Sequence, residues 1–378
     1  MTIQKRPESR RLGLRSGRFR VFRAIAALVA AAILLPFAVA SAFDFDPVFL
    51  PAQGSTSPAN GDLNPYGLAS VPFGFPSGGK IHPGQLLVSN FNNSAAGGNL
   101  QGQGRTIVII DPATAQQVGL FFQASENIGF SNALAVLRAG FVLGGSVFTT
   151  GSSTTAGSRG LLVLDRHGNL VTTITNGANG PWGLAVNERD KMAQLFVSNV
   201  LDGTITRLSV ALKGGTFSVT GPPTTIASGY AFGPDLAGLV VGPAGLVYDR
   251  HRDTLYVAAE DDNAIYAIHD AGMLNSSAGK GTLVYKDDMH LHGPLGLMRA
   301  PDGNFITANA DPAAHNDPNQ PSELVEFTLS GKFVRQYSID PNQGAAFAIL
   351  NVRTPLANQF SYVDDFSSTL TVLELTPF

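Results

Sequence analysis

Cysteine is absent from the 378-residue chain, and that one absence removes several classes of protein at once. No disulfide scaffold can form, no thiolate can hold zinc or an iron–sulfur cluster, and no acylated cysteine can tether a lipoprotein. An oxidising compartment therefore poses no hazard. Charged residues are scarce at 14%, and no cluster of Lys and Arg appears after residue 23. Without a basic stripe the chain has no electrostatic footprint for nucleic acid or anionic lipid, so neither is an expected partner. Helical periodicity is nearly missing, and the one short candidate, residues 270–274, reads as a loop. H-E-x-x-H, G-x-S-x-G, a phosphate loop and a dinucleotide fingerprint are all absent, which excludes the chemistry those patterns carry.

What is present begins with an export signal. Lys5, Arg6, Arg10, Arg11, Arg15, Arg18, Arg20 and Arg23 precede an apolar run over residues 24–39, and Ala40-Ser41-Ala42 supplies a small-x-small cleavage site. Residues 1–42 read as a signal peptide and residues 43–378 as the mature protein, periplasmic or secreted and free of the membrane once cleaved. An uncleaved anchor is the alternative, since a run of about 17 to 20 apolar residues can just span a bilayer, although Pro36 breaks the helix such a span needs. Ser9-Arg10-Arg11 partly resembles a twin-arginine signal. The leader holds eight of the 25 basic residues and one of the 28 acidic ones, which leaves the mature part at 17 against 27, a net charge of −10.

The mature part has an all-β composition, with most of the chain's 42 Gly, 23 Pro and 24 Phe set among short apolar runs and turn signals. It also repeats itself. Pro65-Tyr66-Gly67-Leu68, Pro181-Trp182-Gly183-Leu184, Pro243-Ala244-Gly245-Leu246 and Pro294-Leu295-Gly296-Leu297 each lead to an apolar strand and then to another. Ser131-Asn132-Ala133-Leu134 and a degenerate copy over residues 345–352 complete the series. The glycine or its counterpart falls at 67, 133, 183, 245, 296 and 347, steps of 50 to 66 residues, close to the ~40–50 residues of a propeller blade with loop insertions. This predicts a single six-bladed β-propeller of four-stranded antiparallel blades, acting as a monomer. The sixth unit holds only three strands, and the alternating segment Phe43-Asp44-Phe45-Asp46-Pro47-Val48-Phe49-Leu50 is expected to close the ring as the outermost strand of the last blade.

Pro181-Trp182-Gly183-Leu184-Ala185-Val186 followed by Leu195-Phe196-Val197-Ser198-Asn199 resembles an NHL-type propeller repeat, and Asp302-Gly303-Asn304-Phe305-Ile306 is similar to a strand-connecting turn of that repeat and of the gluconolactonase-like propellers. The resemblance covers almost the whole mature chain and implies a fold, while propellers host enzymes and passive binders alike. In the gluconolactonase-like relatives it implies a divalent cation, such as calcium, held in the channel by a glutamate, two asparagines and an aspartate. Here Asn64 stands in place of that glutamate, although Asn132 and Asn179 could stand in for the asparagines. The cation loses the charge it needs, so no cofactor is assigned.

The loops leading into the innermost strands carry Asn64, Tyr66, Asn132, Asn179, Trp182, Asp235, His290, His292 and Gln343. A ring of carboxamides with aromatic stacking faces and a histidine pair would suit a small molecule, a glycan or a protein at the channel mouth. The competing reading is that Asn and Pro before each strand are turn residues satisfying their own backbone. His290 and His292, if they alternate on a strand, would share a face. Glu260-Asp261-Asp262-Asn263 reads as a solvated turn. The expected function is non-catalytic ligand binding at the channel mouth, with a divalent-metal-dependent lactonase or esterase as the alternative.

Overall fold

The computed structural model describes residues 51–94, 100–149, 156–235, 238–309, 322–340, 346–353 and 358–375, and all of their regular structure is β. The chain opens with β1 (Ala52–Ser55) and then lays down consecutive meanders. Blade I is β2 (Asp62–Ser70), β3 (Leu86–Asn93), β4 (Thr106–Ile110) and β5 (Gln117–Gln123). Blade II is β6 (Phe130–Leu137), β7 (Phe141–Thr149), β8 (Ala156–Asp165) and β9 (Leu170–Ile174). Blade III is β10 (Pro181–Arg189), β11 (Met192–Asn199) and β12 (Thr204–Lys213), with β13 (Thr216–Val219) and β14 (Thr224–Ser228) sharing its outer edge. After a two-stranded hairpin, β15 (Gly233–Asp235) and β16 (Leu239–Val241), comes blade IV: β17 (Pro243–Asp249), β18 (Thr254–Ala259), β19 (Ala264–His269) and β20 (Thr282–Tyr285). Blade V is β21 (Pro294–Arg299), β22 (Phe305–Asn309), β23 (Ser322–Phe327) and β24 (Phe333–Asp340). Blade VI is β25 (Ala346–Arg353), β26 (Asn358–Asp364) and β27 (Thr369–Leu375). The inner strands β2, β6, β10, β17, β21 and β25 pack one against the next, and β25 returns to β2, so six blades form a closed ring.

The repeated Pro-x-Gly-Leu acquires a physical meaning here. Each inner strand slips register against its neighbour near its start, at Pro65/Gly67, Phe130/Leu134, Pro181/Gly183, Pro243/Leu246, Pro294/Leu297 and Ala346/Ile349. The slip bends the strand about the axis, as a bulge does. At the bend the chain meets the next blade's backbone: a Cβ on Gly183 would overlap the Ala244 carbonyl, one on Gly245 the Leu295 carbonyl, and one on Gly296 the Phe347 carbonyl. Strand two adds a tie to the same place. Ser198 donates its hydroxyl to the Ala244 carbonyl at 2.7 Å, and in blade II the inner strand itself supplies the tie, Ser131 of β6 donating to the Pro181 carbonyl at 2.5 Å.

Closure follows the expected logic with a different stretch of chain. β1 pairs antiparallel with β27, Ala52 opposite Val372 and Ser55 opposite Thr369, so the outermost strand of the last blade comes from the N-terminal side. Residues 43–50, assigned to that role from sequence, lie outside the described residues. Two further features were not anticipated. The outer strand of blade III is divided, β13 pairing with the far half of β12 and β14 with its near half, because Gly221-Pro222-Pro223 interrupts the run and proline cannot donate to a ladder. The long step between blades III and IV contains the β15–β16 hairpin.

Candidate functional site

The inner strands begin at one end of the axis, called here the upper mouth, and there the side chains are large. The Tyr66 ring lies between Phe91 at 4.3 Å and Phe347 at 4.1 Å, with Trp182 edge-on to it at 5.7 Å. Tyr66 and Trp182 are each 1% exposed. Leu239 and Val240 of the β15–β16 hairpin join the same cluster, and burial holds Leu239 at φ 67°, a conformation that disfavours a side chain of its size. The upper mouth is thus plugged by rings and capped by a hairpin, and the two aromatics expected to offer stacking faces are interior.

Polar groups surround the plug. Glu260, at the end of β18, is 1% exposed, and its Oε2 has no hydrogen-bond partner among the described residues. The Trp182 indole N–H faces that carboxyl without reaching good hydrogen-bond geometry. Burial, reinforced by Asp235, pushes the Glu260 carboxyl well above the usual range. Burial likewise raises the Tyr66 hydroxyl, aided by the nearby carboxylates of Asp365, Glu260 and Asp235. Glu260 escaped detection because it opens an acidic run; the following residues do behave as a turn, with Asp262 paired to Lys280 at 2.5 Å. The only available signal was its position as the residue ending an apolar strand.

The remaining expected residues separate. Asn64 sits at φ 61° and its amide N–H donates to Ser368 Oγ at 3.1 Å, while its buried Oδ1 has no partner among the described residues. Asn179 lies on the exposed rim, its Nδ2 donating to Asp202 Oδ2 at 3.0 Å and its amide N–H to Asn199 Oδ1 at 2.9 Å. His290 and His292 occupy a turn rather than a strand, so strand alternation does not apply to them. His290 Nδ1 lies 2.7 Å from Asp287 Oδ2 and its ring stacks on Phe333 at 3.8 Å, whereas the backbone of buried His292 is fixed by Asn309 Oδ1 at 3.0 Å. Gln343 lies outside the described residues. The repeated asparagines at the end of strand two, Asn199 and Asn309, accept from the incoming loop in the same way, which accounts for their recurrence structurally.

Asn132 alone faces the channel. Below the plug the axis opens into a bore of about 190 Å³ to which all six inner strands contribute, among them Leu68, Asn132, Leu184, Leu246, Leu297 and Leu350. The side chains lining the bore are aliphatic apart from Ser70 and the Asn132 carboxamide, strand backbone makes up much of the rest of its surface, and no ionisable side chain lines it among the described residues. Of the asparagines that the resemblance implies as cation ligands, Asn179 hydrogen-bonds Asp202 on the rim and Asn132 lines the bore. Among the described residues no three His, Asp or Glu side chains cluster closely enough to hold a metal ion.

Comparison with known proteins agrees with this architecture. The chain is similar to the structure of a gluconolactonase from Xanthomonas campestris, with a TM-score of 0.52 and 14% identity over 84% of this chain and 88% of that one. It is also similar to the Dos1 propeller, with a TM-score of 0.44 and 12% identity over 89% of this chain and 77% of that one. At such identities the likeness is one of fold. No protein-family profile matches the chain, and no curated protein matches it in sequence.

Proposed function

We propose that this protein is an exported, monomeric propeller that binds a small uncharged molecule in its central channel and does no chemistry on it. The observation that carries the reading is the bore, a narrow cavity whose side chains are aliphatic apart from Ser70 and one half-buried carboxamide, Asn132, with no acid or base among the described lining residues. A carboxamide can orient a ligand by donating and accepting, while hydrolysis needs a base or a polarising ion within reach of the reacting atom. A glycan or a protein fits the geometry less well, because rings and a hairpin fill the upper mouth where it would dock. The test is a thermal-shift screen of small neutral molecules followed by calorimetry on a hit. Asn132→Ala should weaken binding at least tenfold and Leu184→Trp should abolish it, whereas wild-type affinity in both variants would overturn the channel assignment.

One observation favours a second reading, a divalent-metal-dependent lactonase or esterase like the similar gluconolactonase. Glu260 places an unpartnered carboxyl oxygen at the upper mouth, close to where the resemblance requires an acidic ligand. Elemental analysis of protein purified without chelators separates the readings. A stoichiometric divalent ion lost in Glu260→Gln would establish the hydrolase reading against the binder.

A further inference from the structure

Away from the axis, a crevice of about 390 Å³ separates blades V and VI, and no residue lining it lines the central bore. Its origin is the period-two alternation of strands, which sends successive side chains to opposite faces of a blade. Blade V turns its large rings, Phe305 and Phe327, toward blade IV, where they pack with Tyr256 and Tyr285. Toward blade VI it presents Met298, Ile306, Leu324 and the small Ala300. Phe360 and Tyr362 of β26 meet these from the other side but do not fill the space, and Gln53 of β1 stands at its rim.

One wall of the crevice carries charge in balanced form. Glu326 is 3% exposed and accepts from Asn304 Nδ2 at 2.7 Å, Arg335 Nε at 3.0 Å and the Tyr337 hydroxyl at 3.2 Å. The Arg335 guanidinium lies 5.5 Å from the Tyr337 ring centre. Glu326 and Arg335 neutralise each other, and the second carboxylate of the lining, Asp302, is exposed at the rim with both oxygens accepting from Asn304; among the described residues no unpaired counter-charge lies inside for an incoming ion, and burying an unpaired ion is strongly unfavourable. The pair still offers hydrogen-bonding partners to a neutral group. The volume falls within the roughly 300–1,000 Å³ of small-molecule sites.

The geometry points to a second ligand site in this crevice, one that takes an uncharged, largely hydrocarbon molecule carrying a single hydroxyl or carbonyl turned toward the Glu326–Arg335 pair. The probe for it is neutral N-phenyl-1-naphthylamine titrated into the full chain and followed by fluorescence. A saturable gain at one probe per protein is expected. Ala300→Phe, which fills the crevice, should weaken that binding at least tenfold, and Gln53→Trp, at the exposed rim, should do the same if Ala300→Phe lowers the melting temperature. Leu184→Trp narrows the bore and discriminates the two sites. Loss of signal in Leu184→Trp with retention in Ala300→Phe would place the probe in the bore, overturning the crevice site and leaving the channel proposal intact. Absence of saturable binding would overturn it outright. So would a photo-crosslinker at position 53 that joins residues 43–50, because the crevice would then be filled by the protein's own chain.

Discussion

Replacing Glu260 by glutamine should make the propeller less sensitive to rising pH. The carboxyl is 1% exposed, its Oε2 lacks a partner among the described residues, and Asp235 and Asp261 add negative charge nearby. Burial is the dominant effect, and the raised value means the folded protein holds this proton at a pH where the unfolded chain, near about 4.3, has released it. In that window the native state binds more protons than the unfolded state, so stability falls as pH rises, by at most ~1.4 kcal/mol per pH unit. The contribution is fully present below the unfolded value and is lost by the time pH has passed the folded one. Glutamine cannot ionise and carries no such slope. For a chain of this length ~1 kcal/mol corresponds to about 2 °C in melting temperature, so the gap between the variant and the wild type should widen by up to about 5 °C from pH 5 to pH 7. Thermal melts of both proteins at half-unit steps from pH 4 to pH 8 measure this. Curves that stay parallel would show that Glu260 is ionised or solvated in the folded state, and the description of the plug would fail.

Two further outcomes test the ring itself. Gly183→Ala drives a methyl group into the Ala244 carbonyl and should cost about 1–3 kcal/mol in urea unfolding, whereas Gly233→Ala, where nothing lies within 4 Å, should change stability by no more than about 0.5 kcal/mol; equal effects would refute the close-approach account of the repeat. Starting the chain at residue 57 removes β1 and bares the edge of β27, and exposed edges pair with other chains, so the melting temperature should fall and light scattering should rise, while an unchanged monomeric melt would refute closure by β1.

The blades were legible in the sequence because their signature is a steric demand. Pro-x-Gly-Leu recurs since a bulged strand has to pass within van der Waals overlap of its neighbour's backbone, and Gly183, Gly245 and Gly296 meet that demand identically. The interior of the channel was not legible in the same way. Tyr66 and Trp182 follow a proline at a loop end, a position that looks exposed along the chain, yet the converging inner strands bring their rings within 5.7 Å of each other. Phe91 and Phe347, which complete the plug, sit 25 and 281 residues from Tyr66, and no local pattern links them. The crevice between blades V and VI was invisible for a related reason, since it depends on how the volumes of β22, β23 and β26 fail to complement one another.

Because the plug closes one end of the axis, a ligand for the bore has to arrive from the other, where the inner strands terminate. Charged residues crowd that end and are held by hydrogen bonds, with more guanidinium than carboxylate in these bonds. Arg299 and Arg252 both donate to Asp249 Oδ2 at 2.8 Å, and Arg250 Nε donates to Asn187 Oδ1 at 3.0 Å while its NH2 reaches the Glu188 carbonyl. The roughly 8 Å screening length of physiological salt confines the field of these groups to the rim, and selection falls to the largely aliphatic side chains beyond it. In the crevice the buried carboxylate, Glu326, is matched by Arg335, while the second lining carboxylate, Asp302, stays exposed at the rim and accepts from Asn304. Two cavities with separate linings thus share one property, mostly aliphatic side chains with no unpaired buried charge among the described residues, and that property favours neutral ligands at both.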